Sequence, residues 1–252
     1  MKRILISGSI ALFSLICLWL INSFTIVWVF GLVLLAWLGV LAFFAYRANS
    51  GFSDQLFLVI STALAFLGLI SLLEPVYLRY LLIFLATAII FFLFMRILQT
   101  DKVVLSYEEK PYRRMFMMLW VFNSYAFITF GFALSIFFPS IPFWIISFFV
   151  GALIGYISVA VWKMYFNVPT QNFFLRVVLI ILMIWEVMWV MHLLPLGYFV
   201  LGGLTVWLWY LIQLFVRFYL SKMGIIWKKQ IVFLISNLVL YFLVLYLFVR
   251  WI

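Results

Sequence analysis

Apolar residues run along this chain in blocks of about twenty, the length needed for a helix to cross a hydrocarbon core of about 30 Å. Short polar or proline-bearing breaks separate the blocks. The pattern predicts nine helices, over 4–21, 24–46, 55–73, 76–98, 115–138, 142–165, 173–194, 197–220 and 230–250. Lipid offers no partner to backbone N–H and C=O groups, so each block should close its hydrogen bonds internally as a helix. None of the blocks alternates apolar with polar residues as a membrane barrel strand does. The expected fold is an all-α polytopic integral membrane bundle, one transmembrane domain over 1–252, with the lipid bilayer as its first partner. The opening MKRILISGSIALFSLICLWL has the basic start and apolar body of a secretory signal. Its apolar body is longer than usual, and no small-residue cleavage pattern precedes the next block, so it is read as a retained first helix.

The charged positions orient this array. With the N-terminus placed in the cytoplasm, every Lys and Arg except Arg79 and Arg250 falls on the cytoplasmic side. Such a bias is the positive-inside signature, and it predicts an N-in, C-out protein of a bacterial-type plasma membrane. Three of the connections on the opposite side carry proline between apolar flanks: LLEPVYL at 72–78, FFPSIPFW at 137–144 and HLLPLGYF at 192–199. Proline ends a helix and extends the residue before it, so these should be tight hairpin turns. The longest soluble connection, QTDKVVLSYEEKPYRR at 99–114, is a loop rather than a domain.

Composition reinforces the pattern. The chain is 70% hydrophobic and 9% charged, against about half and a quarter in ordinary soluble proteins. Its formal charge of +10 does not imply nucleic acid, because the basic residues cap apolar runs instead of sharing one polar face. Cys17 is the only cysteine and His192 the only histidine, so neither a disulfide nor a metal site within one chain is expected. Phosphate-binding glycine loops and serine nucleophile elbows are missing, and no cofactor is implied.

Chemistry, if any, therefore lies inside the bilayer, and one acid interrupts an apolar run there. Glu186 is ten residues beyond Arg176, about 15 Å deeper at the helical rise. An ionised carboxylate near the midplane costs about 2.5–3.5 kcal/mol or more, which calls for protonation or a partner. Folding the chain back at 195–196 brings Thr205 to the same depth, with Gly202 and Gly203 opposite the Trp189 region. Asn123 and Asn237 sit slightly shallower. Glu186, Thr205, Asn123 and Asn237 thus form a candidate intramembrane polar slab if their faces point inward. The competing reading is a neutral acid bonded to a neighbouring helix, with the asparagines serving packing alone. His192 lies about 120° round the helix from Glu186 and shares a stripe with Trp185 and Trp189, an aromatic edge suited to the interface.

Two further patterns bear on partners and activity. Ser147, Gly151, Gly155 and Ser158 of the sixth helix form a small-residue stripe, allowing close approach within the bundle, to other membrane proteins or to a second copy. In the loop, Glu108-Glu109-x-x-x-Arg113 resembles the first motif of the membrane-embedded CAAX protease-like family, in which the glutamates activate water. That family's later Phe-x-x-x-His motif has no match, since Met188 precedes His192 by four residues and a second histidine is missing. Ser106 with Glu109, or Pro111, also serves as an ordinary helix start. The leading expectation is a non-enzymatic component, carrier-like or a subunit of a membrane complex. Its rival is an intramembrane enzyme acting on lipid or membrane peptide, with Glu186 as acid or base.

Overall fold

A computed structural model describes residues 2–23, 27–49, 54–98, 110–165, 174–220 and 227–248. Every regular element among them is helical: α1 (Lys2–Ser23), α2 (Val27–Asn49), α3 (Asp54–Leu72), α4 (Val76–Ile97), α5 (Lys110–Phe137), α6 (Phe143–Tyr165), α7 (Phe174–His192), α8 (Tyr198–Leu220) and α9 (Trp227–Phe248). The main difference from the sequence pattern is α5, which begins at Lys110 rather than near 115. Pro111 suits a first helical turn, where its missing N–H would have had no partner, so the helix extends beyond its apolar segment. Among the described residues, eight helices are long and apolar enough to span a bilayer, while the apolar part of α9 runs only over Ile231–Leu247. Large side chains such as Trp28, Leu35, Phe84 and Phe149 are exposed on the outside. Water would not tolerate so much contiguous apolar surface. The chain is an all-helical polytopic membrane bundle.

The helices gather into two compact units, Met1–Leu119 and Trp120–Ile252. The boundary falls inside α5.

In the first unit α1 packs on α2 and α4, and α3 lies against the same two helices. Leu18, Trp37, Phe66, Ile90 and Phe94 are fully enclosed. Buried hydroxyls turn back onto their own helices, Ser7 to the Arg3 carbonyl at 3.0 Å and Ser14 to that of Ile10 at 2.9 Å. The α3–α4 turn is the tight one that proline predicts. Pro75 sits at the α4 N-cap with φ −66° and ψ 121°, and its carbonyl accepts from the Leu78 and Arg79 amides. Arg79 Nε donates to the Leu73 carbonyl, placing a cation at the C-terminal end of α3 where the helix dipole favours it.

In the second unit α6 runs along α7, and α8 packs on both. Backbones come close here. A Cβ on Gly155 would stand 2.6 Å from Ile181 Cγ1, and one on Gly151 would stand 3.2 Å from the Ile181 carbonyl oxygen. The small-residue stripe of α6 thus meets α7 of its own chain. Gly131 of α5 similarly abuts Val150, and a Cβ on Gly202 of α8 would fall on the Thr129 hydroxyl of α5. Gly202 accordingly serves close approach to α5. Dispersion contacts weaken steeply with any gap, so small residues here bring many atoms into range at once.

Candidate functional site: a tryptophan-lined groove on α6 and α7

The buried side of α7 is built from Ile180, Ile184, Met188 and Met191. Glu186 is two residues from both Ile184 and Met188. At about 100° per residue that puts it on the opposite side of the helix. It is exposed. Six residues separate it from His192 at the end of α7, an axial distance of about 9 Å. The carboxylate therefore lies just past the middle of α7, on its proline-turn side.

There it borders an open groove of about 470 Å³, lined by Trp144, Trp185, Glu186, Trp189 and Val190. Trp144 comes from the second position of α6 and the other four from the last turns of α7. Ring contacts hold this end together. His192 stacks on Phe143 with centroids 4.0 Å apart and planes 14° from parallel, and Trp189 tilts against the same phenyl ring at 5.9 Å. Trp185 meets Phe148 edge-on at 6.3 Å. The stripe of Trp185, Trp189 and His192 is thus clamped onto the start of α6. Among the described residues, no hydrogen bond or ion pair holds the Glu186 carboxylate.

The other members of the expected slab go elsewhere. Asn123 and Thr205 are fully buried, and the Thr205 hydroxyl donates to the Leu201 carbonyl at 2.8 Å. Asn237 of α9 is half-buried. It accepts from Trp207 Nε1 at 3.2 Å and donates to the Phe233 carbonyl at 2.8 Å. Glu186 faces outward and joins none of them. Of the protease-like motif, Glu108 and Glu109 lie outside the described residues, while Arg113 is in the first turns of α5.

One polar cluster was missed by the sequence reading. Ser158 Oγ of α6 accepts from Trp209 Nε1 at 3.0 Å and from Gln213 Nε2 at 2.8 Å, and donates to the Ile154 carbonyl at 2.8 Å. All three residues are buried. A signal was available: Ser158 and Gln213 each stand fifteen residues from the proline-turn ends of α6 and α8, about 22 Å along each axis. Equal depth on packed helices is the condition for a bond between them. This node lies more than a turn beyond the Glu186 level, so the two are separate polar features, the node enclosed and the acid facing outward.

Comparison of the chain with protein-family models, with curated proteins and with solved structures gives no match.

Proposed function

We propose that this chain is a non-enzymatic subunit of a membrane complex, in a bacterial-type plasma membrane, and that the α6–α7 groove is where it meets another protein. One observation carries the reading: the acid of a transmembrane helix faces outward and lacks a bonding partner among the described residues of its own chain. Intramembrane carboxylates pair with another group or face water. A partner helix laid over the groove would supply that group and cover three indoles at the same time. A carrier would more naturally enclose its acid between helices, yet the inward side of α7 at this level is packed by Ile184 and Met188.

The test is site-specific photo-crosslinking in native membranes. A photoreactive residue at Val190 should give one discrete adduct with another protein, mapped by peptide sequencing to a transmembrane segment. The same probe at Val232, an exposed residue of α9, should label lipid. Labelling of lipid alone at Val190 would overturn the reading. So would proton- or ion-coupled flux by the purified chain in vesicles that Glu186→Gln abolishes.

A further inference from the structure

We infer that the occupant of the groove is a transmembrane helix of a different protein that presents a lysine or arginine to Glu186. This rests on the subunit reading and specifies its partner. Electrostatics selects the sign, because a carboxylate in an apolar setting is best compensated by a cation held against it. The lining then selects the kind of cation. Trp144, Trp185 and Trp189 line the same groove as the acid, and tryptophan presents the best aromatic face for an ammonium or guanidinium group. A neutral serine or asparagine would satisfy the carboxyl group and leave those faces unused. A divalent metal fits poorly, since hard cations take six or more oxygen ligands and the groove has one carboxylate.

Depth then selects the source of the cation. Glu186 lies about 9 Å inside the end of α7, below the rim formed by Phe143 and His192. A partner helix running alongside could lay the alkyl stem of a Lys or Arg along the indoles and deliver the charged head to the acid. Among the described residues, a second copy of this chain supplies no such helix. Every Lys and Arg in its helices stands within the first or last five residues of the element. The one beside a proline turn, Arg79, is already bonded to the Leu73 carbonyl. Charge complementarity therefore points to another protein with a basic residue set inside its membrane span.

Sequencing the Val190 crosslink in native membranes tests this with the full chain. The expected adduct carries Lys or Arg within one helical turn of the attachment point. Glu186→Gln should lower its yield about tenfold, and Trp189→Leu should lower it several-fold, with the amount of chain in the membrane unchanged. Exchanging the charges, with Glu186→Lys in this chain and glutamate at the partner's basic position, should restore the adduct. An adduct with a segment lacking Lys and Arg would overturn the inference and leave the subunit reading standing. An adduct with this chain's own peptide would overturn both, and would identify a second copy as the occupant. Labelling of lipid alone would overturn both.

Discussion

In Met1–Leu119 a side chain added at Gly8, Gly31 or Gly39 would meet open space, whereas in Trp120–Ile252 one added at Gly131, Gly155 or Gly202 would collide with a neighbouring helix. One hydroxyl adds a difference in the same sense. Ser7, Ser14 and Thr87 of the first unit bond to carbonyls of their own helices, while Ser158 of the second gathers donors from two residues of α8. Lipid tails are as apolar as leucine, so burial provides little force to hold one transmembrane helix to another. The first unit relies on large enclosed side chains such as Trp37 and Phe94. The second adds close backbone contact and a shared hydrogen-bond node, and it supports a groove whose shape depends on how α6 and α7 are set.

That contrast can be broken most severely at Gly202. Gly202→Ala should cost about 3 kcal/mol, as overpacking does where the backbone leaves no space, read by SDS-titrated unfolding in mild detergent. A wild-type curve would show that α5 and α8 are not in close contact. Next comes a matched pair of serines. Ser158→Ala strands the Trp209 and Gln213 donors and should cost about 2 kcal/mol, whereas Ser14→Ala removes a donor that only doubled an existing helix carbonyl bond and should cost less than about 1 kcal/mol. Equal losses at the two sites would erase the distinction between the units. Gly39→Ala in α2 should raise stability by up to about 1 kcal/mol, because a helical glycine with free space gains from a methyl group; a loss there would mean the first unit is packed as closely as the second. The smallest expected effect is at Glu186. Glu186→Gln should leave unfolding of the isolated chain within about 0.5 kcal/mol of wild type, as for an exposed side chain with no structural bond. A large change would assign the acid to the fold instead of the groove.

Much of this architecture was legible from the linear pattern. Each apolar block has its helix, and the turn around Pro75 is tight for the reason proline suggests. The unusual residue in α7 could also be picked out, since one acid in an apolar run stands out against its neighbours. Its direction could not. A water-soluble helix shows its buried face as an apolar stripe, but α7 is apolar on almost every side, so Ile184 and Leu182 look alike in sequence although one is buried and the other exposed. The inward slab of Glu186, Thr205, Asn123 and Asn237 was built on depth alone, and depth says nothing about azimuth. The Ser158–Trp209–Gln213 node escaped notice for the same reason: serine and glutamine in separate blocks become partners only when α6 and α8 lie side by side.

The sequence by itself determined that the chain lives in lipid and where most of its helices start and stop. Both follow from the length of apolar runs and the need of every peptide group for a bonding partner away from water. Tertiary structure alone decided which faces meet: that Gly155 admits Ile181, that Ser158 receives Gln213, and that Glu186 shares an outward groove with three tryptophans. The physical reason is that a bilayer hides the contrast between inside and outside, leaving shape and a few hydrogen bonds to choose the partners.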